Sequence, residues 1–162
     1  MPVNSTVPPT TARRTVPAPD AFTTTGAVIA LGCTLAGQYL ETPWKSDSDG
    51  WGVDFAGNGG WAALGVTLAF IAAALVLVGL ATDRARAVTP ERAAVRALIL
   101  AGLGAVSIAV FYLGIPPVLA AGAAGLALDA RRRLGRFPAP AAIALVLAVL
   151  TVATAAYLAF TG

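Results

Sequence analysis

A chain of 162 residues has room for one domain, and 57% of it is hydrophobic against 12% charged, about half the charge of a soluble globular chain. The formal charge is +3, but the basic residues flank long apolar blocks and form no basic domain, which argues against nucleic-acid binding. With no His, one Cys and one Met, the chain by itself excludes internal disulfides, Cys/His zinc sites, iron–sulfur clusters and His-dependent triads.

Residues 1–21 contain five Pro and many Ser and Thr, with little to bury. They predict a disordered tail, and Arg13 and Arg14 predict that it is cytoplasmic. The first apolar block, FTTTGAVIALGCTLAGQYL (22–40), is the least hydrophobic of the predicted spans and carries Thr34, Gln38 and Tyr39. Ala30-Leu31-Gly32-Cys33 only partly matches a lipoprotein cleavage box, because the residues after Cys33 stay apolar; a buried structural Cys is the reading.

Residues 41–60 form the one sizeable loop between spans. It holds four acids (Glu41, Asp47, Asp49, Asp54) and Lys45, a net charge of −3, together with Trp44, Trp51 and Phe55. Asp47 and Asp49 match the first two ligand positions of a calcium loop, but Trp51 stands at the third and Asn58 at the closing Glu. The expectation is a solvated external turn anchored by interfacial aromatics, with no metal and no cofactor.

WAALGVTLAFIAAALVLVGLA (61–81) has 21 residues and no charge, and about 20 residues at 1.5 Å each cross the ~30 Å hydrocarbon core. TDRARAVTPERAAVR (82–96) follows with four Arg, and Thr89-Pro90-Glu91 has the form of a helix start. Residues 97–128 carry no charge and are too long for one simple span. Gly114 with Pro116 and Pro117 breaks them, predicting two short helices over 97–113 and 116–130. DARRRLGRFP (129–138) adds four Arg, and 139–160 is a further apolar span.

If 97–128 turned back on itself, both Arg groups would lie on one side. Five spans with the N-terminus in the cytoplasm and the C-terminus outside then leave only Lys45 among 11 basic residues external. Tyr39, Trp44, Trp51, Trp61, Tyr112, Tyr157 and Phe160 all fall at the outer boundary on that count. The predicted class is all-α: a polytopic bundle of five transmembrane helices in the plasma membrane.

Ala93, Ala97, Ala101, Ala105 and Ala109 recur at every fourth position, a small-residue spacing that lets helices pack closely in lipid. Asp129 sits at a span end, and no Asp, Glu, Lys or Arg lies at depth inside a predicted span, where pumps and proton-coupled transporters need them. Residues 119–150, LAAGAAGLALDARRRLGRFPAPAAIALVLAVL, order a small-residue helix, an Arg-rich turn and an Ala-rich helix. That order resembles the paired-helix unit of small Ala/Arg-rich actinobacterial-type multi-pass membrane proteins of unknown function, and implies a helical hairpin but no activity.

The expected function is a non-enzymatic accessory or scaffold subunit whose partners are the bilayer and other membrane subunits. Ala97, Ala101, Ala105 and Ala109 are its candidate packing residues, and Trp51, Asp54 and Phe55 its external contacts. The alternative is an oligomeric channel or small-solute transporter lined by Thr34, Gln38, Ser107 and Tyr112. An enzyme using Glu41 and the loop aspartates ranks third.

Overall fold

The computed structural model describes residues 20–45, 50–57 and 59–161. The described residues form five α-helices: α1 (Ala21–Tyr39), α2 (Gly60–Arg86), α3 (Pro90–Val106), α4 (Ile115–Leu134) and α5 (Ala139–Thr161). The all-α class holds, with one small addition. After α1, the two-residue strands β1 (Leu40–Glu41) and β2 (Gly52–Val53) pair antiparallel, Leu40 opposite Val53 and Glu41 opposite Gly52.

The helix ends differ from the sequence expectation for local reasons. Asp20 caps α1 by accepting from the Thr23 backbone N–H at 2.7 Å, so the helix begins at Ala21, inside the expected tail; residues 1–19 lie outside the described residues. Helix α2 runs on through the charged TDRAR to Arg86, where cations suit the C-terminal end of the dipole. Helix α3 begins at Pro90 as the Thr89-Pro90-Glu91 pattern implies, although the Thr89 side chain makes no capping bond.

The expected α-helix over 97–113 stops at Val106 and continues as a 3-10 segment, Ser107–Leu113, with Val110 off helical geometry at φ −122° and ψ 38°. Pro116 and Pro117 have no N–H to offer the carbonyls of residues 112 and 113, so the hydrogen-bond ladder lapses there. Gly114 makes the turn at φ +72°, and a Cβ on it would meet Ile71 Cγ1 at 2.7 Å.

Helix α4 is the centre of the bundle and packs on all four other helices. None of its residues before Arg131 is exposed. Around it, α1, α2 and α5 each turn one narrow stripe inward, as at Thr67, Ile71, Ala74, Val78, Thr82 and Ala85 of α2, a spacing of three or four residues. The buried side chains are mostly Ala, Gly and Thr. The large apolar ones point outward, including Leu77 (67% exposed), Ile99 (59%) and Val149 (62%).

Among the described residues, three helices are long and apolar enough to cross a membrane: α2, α3 with its 3-10 continuation, and α5. Length and hydropathy therefore support three spans where the Arg distribution predicts five. Helix α4 falls short because it is built of Ala and Gly and carries Asp129 and three Arg; encircled by other helices, it has no need of a greasy surface. Helix α1 is diluted by Thr23, Thr24, Thr25, Gly26 and Gln38.

The two ends of the bundle differ in chemistry. At one end Arg86 pairs with Asp20, Arg133 Nη1 donates to the Arg86 carbonyl at 2.8 Å, and Arg96 Nη1 donates to the Arg84 carbonyl at 3.2 Å. Both Arg-rich segments thus share one end, and the hairpin expected over 119–150 is present as α4 and α5 packed together across Gly135. At the other end, the Tyr39 hydroxyl donates to the Gly60 carbonyl at 3.1 Å and Thr42 Oγ1 to the Phe160 carbonyl at 2.7 Å.

Candidate functional site

The loop after α1 is folded down onto the helix ends. Lys45 Nζ donates to the carbonyls of Ala36, Gly37 and Leu40 at 3.2, 2.8 and 2.7 Å. All three ammonium protons are used, and the cation sits where the helix dipole is negative. Desolvation in this notch holds the ammonium below the ordinary lysine range, and Glu41 offsets part of that. The backbone N–H of Asp54 extends the small ladder by donating to the Tyr39 carbonyl at 3.0 Å.

The three loop residues singled out by sequence have different fates. Phe55 is half-buried: its ring stacks on Tyr39 at 5.0 Å and meets Trp61 edge-on at 5.0 Å. Asp54 closes a turn by accepting from the Gly57 N–H at 2.8 Å. Trp51 alone of the three is widely exposed, at 65%, in a T-shaped pair with Trp44. Asp47, Asp49 and Asn58 lie outside the described residues. Among the described residues no three metal-ligating side chains cluster.

The Ala repeat is buried for only part of its length. Ala93, Ala97 and Ala101 are fully buried, Ala97 and Ala101 in a cluster with Ala123, Leu126 and Ala127 of α4 and Ala141 and Ala144 of α5. Ala105 is half-buried and Ala109 is exposed. Four residues turn a helix by about 400°, so each repeat drifts ~40° and the stripe rotates off the interface by its end. Gly104 takes over the contact, where a Cβ would meet Leu119 Cβ at 3.3 Å. The remaining small-residue surface is a hollow of about 340 Å³ between α4 and α5, lined by Ala120, Ala121, Ala124, Ala148, Val149, Val152 and Ala153.

The polar residues considered as a path are separated in role. The hydroxyls of Thr34 and Ser107 donate to carbonyls of their own chain segment, Ala30 at 2.8 Å and Gly104 at 2.8 Å. Gln38 does bridge elements: its Nε2 donates to Thr67 Oγ1 of α2 at 3.2 Å and to the Tyr112 carbonyl at 3.3 Å. That carbonyl is one the break before Pro116 leaves without a helical donor. Tyr112 thus contributes its backbone to the cluster, and its side chain is 49% exposed.

Sequence reasoning missed Thr67 and the role of Lys45. The signal for Lys45 was present, since the only Lys follows the last turn of α1 by six residues. No family model matches this chain, and no curated protein or solved structure is significantly similar to it.

Proposed function

We propose that this chain is an integral membrane protein crossing the bilayer five times, with the Arg-bearing end in the cytoplasm, and that it serves as a non-catalytic accessory or scaffold subunit of a larger membrane complex. One observation carries the membrane reading: small side chains lie inside and large aliphatic ones outside, the reverse of a water-soluble bundle. Trp61, Trp51, Trp44 and Tyr157, all exposed at the end away from the arginines, suit a membrane interface. On this reading α4 crosses as the inner element, and α1 crosses beside it with one stripe buried and the rest of its surface outward.

The accessory role draws on the open Ala and Val hollow between α4 and α5, a shape that admits a close-packed partner helix. The test is purification of the full chain in mild detergent with mass spectrometry of whatever accompanies it. An unlike membrane subunit at fixed stoichiometry, lost on Ala124→Leu with Ala153→Leu, supports the reading. A ring of identical copies instead favours an oligomeric channel or small-solute transporter. That second reading draws on the Gln38–Thr67 pair beside the 3-10 break, because broken helices with polar groups line transport sites.

A further inference from the structure

Helices α2 and α3 lean on α4 more than on each other and leave a groove of about 340 Å³ between them. Ala81, Ile99 and Leu100 wall it, Leu126 of α4 contributes to its floor, and Arg84 and Arg96 line it as well. Both arginines are exposed, and among the described residues neither forms an ion pair. Arg86 and Arg133, by contrast, are matched to Asp20 and Asp129. Arg96 donates to the backbone carbonyl of Arg84, which brings its guanidinium to the main chain of residue 84.

Two arginines on one groove, neither paired with an acid, attract an anion, and the planar guanidinium suits phosphate oxygens. A free anion would satisfy the arginines and leave the aliphatic wall without an occupant. An amphiphilic anion satisfies both. We propose that the α2–α3 groove binds an anionic phospholipid, its phosphate held by Arg84 and Arg96 and one acyl chain lying along Ile99, Leu100 and Leu126. The assignment rests on the membrane reading, under which this rim lies at the cytoplasmic headgroup level where acidic lipids meet basic pockets between helices. Ile99, 59% exposed, leaves the groove open to lipid from the side.

The full chain is first tested for retention in membranes washed with alkaline carbonate. Release would remove the membrane reading and this assignment with it. The retained protein is then titrated in detergent with dioleoylphosphatidylglycerol or dioleoylphosphatidylcholine and bound lipid is counted by native mass spectrometry. The glycerol lipid should bind about tenfold or more tightly than the choline lipid. Arg84→Gln with Arg96→Gln should abolish that preference, whereas Arg131→Gln with Arg132→Gln, which removes two charges from the same end outside the groove, should keep it. Ile99→Trp, which fills the groove and leaves both arginines, should weaken binding of the glycerol lipid.

Equal binding of the two lipids by the retained parent protein would overturn the groove assignment while the membrane reading stands. So would an equal loss in the Arg131 and Arg132 control. Thermal stabilisation by inorganic phosphate that matches the glycerol lipid and disappears in the Arg84, Arg96 variant would assign the arginines to a free anion and overturn the lipid.

Discussion

Arg133 Nη1 donates to the backbone carbonyl of Arg86 at 2.8 Å, across 47 positions of the chain. The end of α4 therefore covers the end of α2, and its cation meets the negative pole of that helix. Arg133 is held for this contact by Asp129 one turn earlier, at 2.9 Å. For these two residues to meet, α3 and its 3-10 continuation must run away from the Arg-rich end and α4 must return to it.

Single-Cys labelling checks the sidedness proposed on that basis. On a Cys33→Ser background, Trp51→Cys should react with an impermeant thiol reagent on intact cells, and Arg132→Cys should react only after permeabilisation. Both positions are exposed, so a silent site reports the membrane barrier. Reaction of Arg132→Cys in intact cells would place the arginines outside.

The partial burial of the Ala repeat predicts unequal costs along it. Ala101→Leu forces a large side chain into a fully buried site and should lower stability by about 1–3 kcal/mol. Ala109→Leu, at an exposed position, should leave the melting temperature nearly unchanged. Equal effects of the two would show that the repeat packs as an unbroken stripe.

Two glycines of α1 form a matched pair. A Cβ on Gly26 would meet Ala121 Cβ at 2.5 Å and the Pro117 carbonyl oxygen at 2.8 Å, while one on Gly32 meets nothing within 4 Å. Gly26→Ala should therefore push α1 off α4 and destabilise by roughly 1–3 kcal/mol. Gly32→Ala should be neutral or raise stability by up to about 1 kcal/mol, by lowering the entropy lost on helix formation. Thermal melts in detergent decide, and a destabilised Gly32→Ala would refute the open environment assigned to it.

Gln38 ties α1 to α2 and to the broken end of α3. Gln38→Leu removes the donor from the Tyr112 carbonyl and the partner from Thr67, and should cost about 1–3 kcal/mol. Gln38→Leu combined with Thr67→Val should cost less than the sum of the two single changes, since both remove one bond. Additive losses would separate the two residues.

Lys45 gives a pH dependence whose sign follows from its desolvation. Its folded-state value lies below the ordinary lysine value, so between the two the unfolded chain binds more protons than the folded one. The contribution of this group to stability is therefore lowest below the folded value and rises with pH through the window beneath the usual lysine range of about 10.4. The melting temperature of the parent relative to Lys45→Met should climb over the alkaline range just below the ordinary lysine value. A difference that shrinks over that range would mean the three carbonyl contacts outweigh desolvation.

Much of the fold was legible from local chemistry. An uncharged run such as 61–81 becomes a long apolar helix whatever surrounds it, and the Pro116-Pro117 pair ends a hydrogen-bond ladder by lacking donors. The Arg segments could be assigned to one end by charge alone. Which face of each helix turns inward could not be read in this way, because a helix that is apolar all round has no polar side to orient it. Tertiary packing sorted the side chains by volume instead: α4, small on every side, took the centre, and its Ala and Gly surfaces admitted Ala97 and Ala101 but not Ala109. The partners of Lys45 and Gln38 were likewise decided only by the fold, since each satisfies a backbone carbonyl that becomes unpaired when a particular helix ends.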